Sequence, residues 1–312
     1  MGRIATATGL AGIKALFDGR YQPLVGADGL LAIPAVAEIA MLAPSNVQQE
    51  AYAALSAAPG LATWDGELVI AALMAGKLDL IAQTRSAALG IPKDDFDDDR
   101  IGLHRARVDD LAVKATWDPM RLVAQTLEAN KVAYDGLALF HDTRTMGDSG
   151  TIDNNLVPAM AGTAPTVVEY ETAVKAAIDA LRSYRDEAGD KIAIGAEFAT
   201  LNPMALSWQA KACAENETLG PAGSLKVNEV RGTFTAGTNP FLTSDVTMYT
   251  WIRNRSTKPL IVQEREPLTT ELLGEGTDEW VKRDRAIFKV RARRAMAAGH
   301  PAYIVKSLFT HA

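Results

Sequence analysis

The sequence predicts a mixed helix-and-strand protein built along one long helix, with a second segment inserted behind it. Three observations predict this. Leu103, Leu111, Leu122, Val123 and Leu127 recur at roughly helical spacing between about Asp99 and Lys131, with charged residues between them. Near the other end, Ile287–Arg293 alternates, with Phe288, Val290 and Ala292 on one face and Lys289, Arg291 and Arg293 on the other. That is the pattern of a half-buried strand with a basic outer face. Between the two, residues 166–254 read as helix, strand, helix, strand, an α/β unit of its own. A segment of one body therefore sits between two stretches of another.

The elements follow in order. Residues 4–19 form a short amphipathic helix with Ile4, Ile13, Leu16 and Phe17 as its apolar members. Arg20–Ser45 is interrupted by Pro23, Gly26, Gly29, Pro34 and Pro44 and reads as an arm lying on something else, because alone it buries too little to order itself. Val47–Ala58 has helical character up to Pro59-Gly60. Two apolar stretches around Gly76, Leu61–Met74 and Leu78–Ile91, then suggest a hairpin-like excursion, and the second alternates like a strand. The acidic run Asp94–Asp99 suits the positive end of a helix dipole. Asp118-Pro119 reads as an N-cap and first helical residue, so the long helix is expected to break there and a second one to start. Tyr134-Asp135-Gly136 is a turn, and His141–Gly162 a long polar loop. Thr166–Arg185 is a helix whose face carries Val167, Tyr170, Val174, Ile178 and Leu181. Strands are expected at Lys191–Phe198, Leu225–Phe234, Met248–Ile252 and Pro259–Gln263, with a helix from Asn202-Pro203 to about Glu215. Ala302–Leu308 is expected beside Ile287–Arg293, joined through Gly299-His300-Pro301.

Composition excludes several classes. The chain has 312 residues, 48% hydrophobic and 22% charged, the make-up of an ordinary water-soluble globular protein. A net charge of −6 argues against an electrostatic nucleic-acid binder. Cys213 is the single cysteine, which excludes an intrachain disulfide framework and a Cys-rich zinc site and fits a reducing compartment. No apolar run reaches the roughly 18 residues of a membrane span, and Met1–Leu10 lacks a secretory pattern. Met1–Thr6 matches the loose myristoylation pattern, which short chance matches also satisfy.

The motifs carry little chemistry. Asp94–Asp99 lacks the spacing of a calcium loop, and a helix cap explains it better than a metal site. Gly147-Asp148-Ser149-Gly150 looks like a serine-nucleophile segment, but that chemistry needs a base and an orienting carboxylate, and nothing converges on it. His141-Asp142 is an acid/base pair in sequence only. No phosphate-binding glycine loop or H-E-x-x-H occurs. No catalytic, cofactor-binding or metal-ligating residue is assigned. Lys289, Arg291, Arg293 and Arg294 form the one concentrated basic surface, suited to an acidic partner surface or a phosphate contact if it is more than a solvated strand face.

Four segments resemble the major head (capsid) subunits of Mu-like bacteriophages and prophages. The first is Gly90-Ile91-Pro92-Lys93-Asp94-Asp95-Phe96-Asp97-Asp98-Asp99 with Gly102 behind it. The second is Tyr134-Asp135-Gly136 followed by Phe140-His141. The third is Lys258-Pro259-Leu260-Ile261-Val262-Gln263-Glu264-Arg265. The fourth and looser one is Phe288, then Arg293-Arg294, then Gly299 and a terminal strand. Trp64 sits where that family has a Trp in its extended loop. The match covers most of 45–145 and 255–309, while 165–254 agrees only in element order. His300-Pro301 departs from the family's aromatic-glycine pattern, which leaves the course of the last turn open.

The resemblance implies the α+β Hong Kong 97-like phage capsid fold. It places an N-terminal arm at 1–46, an extended loop at 47–95, a peripheral domain with the spine helix at 96–165, an axial domain at 166–254, and the C-terminal strands of the peripheral domain at 255–312. It implies a structural protein, not an enzyme, that assembles into hexamers and pentamers of an icosahedral shell around double-stranded DNA without sequence-specific binding. Portal, scaffold or protease and decoration proteins would be its partners. The shell would be built in the host bacterial cytoplasm and end in the virion, without a membrane or cofactor. Any scaffold is expected as a separate chain. Trp64, Asp94, Asp95, Asp97, Asp98, Lys289, Arg291 and Arg293 are the expected inter-subunit contacts, with the acidic run one candidate partner of the basic strand. Two other functions compete: a non-viral compartment shell of the same fold, and an α/β enzyme using the 141–162 loop.

Overall fold

The computed structural model describes residues 6–25, 38–45, 49–53, 77–97, 104–221 and 224–311. Helix α1 (Thr6–Val25) and strand β1 (Ala40–Pro44) come first. Strands β2 (Gln49–Ala53) and β3 (Lys77–Ile81) pair antiparallel, with Ala53 opposite Lys77. The helix expected over Val47–Ala58 is therefore replaced, in its described part, by a strand whose partner lies across the excursion. Strand β4 (Gln83–Pro92) runs into the short helix α2 (Lys93–Asp97) and then the long helix α3 (Arg105–Glu128). Four two-residue strands shape the next stretch: β5 (Arg144–Thr145), β6 (Thr151–Ile152), β7 (Asn155–Leu156) and β8 (Ala159–Met160). Then come α4 (Val167–Ser183), β9 (Phe198–Asn202), α5 (Ser207–Glu215), β10 (Thr218–Leu219), β11 (Lys226–Val227), β12 (Phe234–Thr238) and β13 (Thr247–Ile252). The chain closes with β14 (Leu260–Leu273), α6 (Asp278–Arg283), β15 (Arg285–Ala298), β16 (Ile304–Leu308) and β17 (Thr310–His311).

Two sheets carry the architecture. One has the order β1-β14-β15-β4, the other β12-β9-β13-β16-β7. In the first, β15 alternates buried and half-buried residues along most of its length, as the sequence pattern requires. Its inner face, Phe288, Val290, Ala292, Arg294 and Met296, is buried. Helices α1 and α3 cover the Phe288 end. Ile13, Phe17 and Tyr21, spaced i, i+4, i+8, pack with Val108, Ala112 and Phe288, and the Phe17 and Phe288 rings lie 5.3 Å apart. Helix α1 thus lies on its own chain. Residues 40–44 continue the theme by pairing parallel to Leu260–Glu264.

Helix α3 does not break at Asp118-Pro119. It runs continuously, with Pro119 buried inside it. A proline in a helix interior forfeits one backbone hydrogen bond and costs about 3 kcal/mol. Here the apolar stripe continues on both sides of it, from Val108 and Ala112 to Leu122, Val123 and Leu127, and its burial holds the helix together. Asp118 does not act as an N-cap; its carboxylate instead takes ion pairs from Arg85 and Arg294. Tertiary contact outweighs the local stop signal.

The second sheet draws three strands from 166–254 and two from outside that interval, β7 and β16. Ala302–Leu308 is accordingly not the neighbour of β15. Both edges of β15 are taken by β14 and β4, and Ile304–Leu308 pairs antiparallel with β13 and parallel with β7. The crossing happens at Gly299-His300-Pro301. Gly299 N–H donates to Pro259 O at 2.7 Å, and a Cβ there would meet Lys258 O at 2.6 Å. His300 Nδ1 accepts from Ala302 N–H and caps the short turn Pro301–Tyr303, which settles the course of this stretch.

Two further strand expectations shift. Lys191–Phe198 is mostly turn, and the strand starts only at Phe198, beyond the left-handed Gly195. Leu225–Phe234 splits into β11 and β12, because the Asn228 side chain donates to Cys213 O and Asn216 O and bends the chain between them. Helix α4 matches expectation, with a capping box between Thr166 and Glu169 and with Tyr170, Val174, Ile178 and Leu181 buried.

Two outcomes follow from this packing. Phe17→Ala removes a buried ring worth roughly 3 kcal/mol, so tryptic cleavage within α1, at Lys14 or Arg20, accelerates on the order of 100-fold if local release of α1 is the route. Gly299→Ala forces a Cβ into the Lys258 carbonyl and lowers stability by about 1–3 kcal/mol, measured as a drop in the thermal midpoint.

Candidate assembly surfaces

The basic outer face of β15 is matched by acids on the strand beside it. Lys289 Nζ lies 2.7 Å from Glu271 Oε2, Arg293 Nη1 3.2 Å from Glu266 Oε1, and Arg291 Nη2 3.6 Å from Glu266 Oε2. The antiparallel register of β14 and β15 produces this ladder, with Glu271 opposite Lys289 and Glu266 opposite Arg293. Cross-strand pairs of opposite charge contribute a few tenths of a kcal/mol to about 1 kcal/mol each. The three cations predicted from alternation thus stand together on one face, each with a partner inside the chain.

The acidic residues are placed differently. Helix α2 presents Asp94 exposed, whereas Asp95 Oδ2 lies 2.6 Å from Nε2 of the buried His104 at the start of α3. Lys93 reaches over the Trp280 ring at 5.3 Å and towards Asp284. Trp64, Asp98 and the Asp97 side chain lie outside the described residues.

A cluster that sequence reasoning did not separate from the basic face lies on the inner side of β15. Position 294 falls on the buried parity, so Arg294 turns inward, away from Lys289, Arg291 and Arg293. Its guanidinium is 3.2 Å from Glu264 and 3.9 Å from Asp118, and Asp118 also holds Arg85. The Tyr21 hydroxyl of α1 lies within electrostatic reach of Arg294. Four elements and the N-terminal helix therefore meet at one charged knot. Burial pushes the Glu264 carboxyl up to about 7, against the lowering effect of Arg294. Parity along the strand was the available signal: in an alternating strand, two consecutive arginines cannot share a face.

The 141–162 loop, the seat of the competing enzyme reading, is tied down by its polar side chains. Arg144 is fully buried, with Nε 2.7 Å from Asp135 and Nη1 2.9 Å from Leu139 O. Asn154 Nδ2 donates to Leu139 O and Pro301 O, and its Oδ1 accepts from His141 N–H. The Ser149 hydroxyl donates to Gly150 O and accepts from Met146 N–H, and His141 Nδ1 accepts from Thr143 N–H. Gly147, at φ +54°, passes so close to the 186–190 turn that a Cβ would meet Glu187 O at 2.6 Å. The Tyr134-Asp135-Gly136 motif acquires a physical meaning here. Tyr134 donates to Glu187 at 2.8 Å, Asp135 holds Arg144, and Gly136 supplies φ +81°. Burial and the neighbouring Glu187 carboxylate drive the Tyr134 phenol far above its usual range. Cys213 is buried, and its thiol is pushed up to about 12, which makes it inert at neutral pH. Among the described residues no three His, Cys, Asp or Glu side chains are placed to hold a metal ion, and no helix is long and apolar enough to cross a membrane.

Residues 14–175 match the family model described as Mu-like prophage major head subunit gpT. Over 138 residues the chain is 28% identical to the Mu-like prophage FluMu major head subunit of Haemophilus influenzae, covering 43% of this chain and 44% of that one. Over 133 residues it is 29% identical to the major capsid protein of Escherichia phage Mu, covering 42% and 43%. The matches span less than half the length of either relative. Among solved structures it is similar to a chain of the procapsid of bacteriophage JBD30, with a TM-score of 0.56 and 18% identity over 98% of this chain and 76% of that one.

The knot has a pH signature. The fold favours neutral Glu264, so its contribution is full below the ordinary carboxylate value of 4.5 and is lost as pH rises through about 7. Between about pH 5 and pH 8 the wild type should lose on the order of 2 kcal/mol more stability than Glu264→Gln, read from urea midpoints across pH. Parallel pH profiles for the two proteins would contradict this origin.

Proposed function

The chain belongs to the family of Mu-like prophage major head subunits and has the Hong Kong 97-like phage capsid fold, and from that premise we propose that it is the major capsid protein of a Mu-like phage or prophage particle. The observation that carries the proposal is the coincidence of a family match over residues 14–175 with a fold likeness spanning 98% of the chain. In this reading the subunit assembles into hexamers and pentamers that close an icosahedral shell around double-stranded DNA. Portal, scaffold or protease and decoration proteins join it in the particle. Assembly takes place in the host bacterial cytoplasm, and the product is the virion head.

The physical features fit a structural protein rather than an enzyme. The polar side chains of the 141–162 loop that most resemble catalytic ones spend their hydrogen bonds on holding backbone. A net charge of −6 keeps the subunit from gripping packaged DNA. The proposed parts are an arm at 1–46, an extended loop at 47–95, a peripheral domain at 96–165 and 255–312, and an axial domain at 166–254. The in-chain β2–β3 pairing supports the extended loop, since it sets Ala53 opposite Lys77 at one end of a two-stranded ribbon. A two-stranded ribbon is marginal alone, and a neighbouring copy would supply the missing burial.

Negative-stain electron microscopy and analytical sedimentation of the purified protein test the proposal. Closed shells or ring-shaped capsomers are the expected particles. A protein that stays monomeric across salt, pH and concentration, with a small molecule retained in a cleft, would overturn it.

A further inference from the structure

Among the described strands, β4 is an edge of its sheet, hydrogen-bonded to β15 alone. Its two ends differ in charge. At the Gln83 end, a cleft of about 450 Å³ is lined by Arg85, Lys131 and Arg294, with the exposed apolar residues Ile81 and Val132 at its rim. Arg85 and Arg294 share two carboxylates, Asp118 and Glu264, and Lys131 makes an ion pair with neither. Lys131 feels the excess: burial and the nearby Arg85 both pull its ammonium below the usual lysine range, and among the described residues its Nζ finds only the Met296 carbonyl. Arg294, 3% exposed, keeps a buried Nε–H without any acceptor among the described residues. A buried donor without a partner is costly, and an unmatched cationic cleft is an invitation to a carboxylate.

At the other end of β4 stands helix α2, whose sequence Lys93-Asp94-Asp95-Phe96-Asp97 is acidic. Its one cation is turned to Trp280 and Asp284, while Asp94 is exposed and makes no ion pair with any described residue. At about 3.3 Å per residue the two ends lie roughly 30 Å apart, so the acids of one chain cannot reach the cleft of the same chain. A second copy can. We propose that the Arg85–Lys131–Arg294 cleft receives the acidic helix α2 of a neighbouring copy, in a head-to-tail contact along the β4 edge. The inference rests on the assembly reading and deepens it, because a contact between two different patches of one chain is the heterologous kind that builds rings and shells. It also gives the acidic run a different partner from the Lys289–Arg293 face, whose charges Glu266 and Glu271 already meet.

The test has two readouts. In the first, a synthetic peptide of residues 90–99 is titrated into unassembled subunit at low ionic strength. The expected result is salt-sensitive binding that falls about tenfold or more in Lys131→Glu, persists in Lys131→Arg, and disappears when every Asp of the peptide is replaced by Asn. In the second, Lys131→Glu and Asp94→Lys each reduce the sedimenting, assembled fraction at low salt, and the double variant recovers it. Lys131 is solvent-accessible, so its substitution leaves the core intact, and an unchanged circular dichroism spectrum verifies that. Peptide binding that ignores Lys131→Glu, absence of binding, or a double variant no better than the single ones overturns the contact. A wild type that never assembles counts against the shell reading instead, and the peptide titration still decides the contact.

Discussion

The burial of one face of β15 is the constraint on which the sheet β1-β14-β15-β4 and the helices packed on it depend. That strand contributes Phe288, Val290, Ala292, Arg294 and Met296 to the interior, and every element nearby is placed by them. Helix α1 lays Phe17 on Phe288, α3 lays Val108 and Ala112 on the same patch, and the C-terminal half of α3 meets Met296. A strand with period two and helices with period near 3.6 can bury a shared surface only in one register. The outer parity of the same strand is then left with the cations, and β14 provides carboxylates at the opposing positions. Packing inside and the charge ladder outside are two consequences of a single alternation.

The charged knot around Arg294 is the costly part of this arrangement. Buried ion pairs often contribute little net stability, because desolvation offsets attraction. Their effect here is geometric. Arg85 from β4, Asp118 from α3, Glu264 from β14 and Arg294 from β15 are linked pair by pair, with Tyr21 from α1 near Arg294, so each pair requires two of these elements to arrive together. That requirement holds the long helix at a defined height on the sheet. It also explains why Asp118 is not free to cap a helix and why Pro119 is carried inside one.

A second group of residues joins the two sheets. The chain leaves β15 at Gly299, where only a hydrogen fits against the Lys258 carbonyl, and enters β16 after a turn capped by His300. Tyr134 and His300 approach the same Glu187 carboxylate, and Asn154 ties the 141–162 loop to Pro301. Residues that look like scattered polar motifs in one dimension form the seam between the long sheet and the sheet packed against α4.

By itself the sequence determined what periodicity and capping chemistry determine. The alternation of β15, the stripe of α4 with its Thr166–Glu169 capping box, the stripe of α3 and the turn at Tyr134-Asp135-Gly136 are local properties, legible because each is encoded within one element. The family resemblance was legible for the same reason, since its four segments are short and contiguous. Only the tertiary structure decided which strand pairs with which, that α3 runs through Pro119, that α1 docks on its own chain, and that Arg293 and Arg294 serve opposite faces with different partners. Those outcomes depend on contacts between residues far apart in the chain, such as Phe17 with Phe288 or Arg85 with Asp118. No window of sequence contains both members of such a pair. The same holds for the cationic cleft, whose three charges come from β4, the residues just after α3 and β15 and become one site only when the sheet closes over the helix.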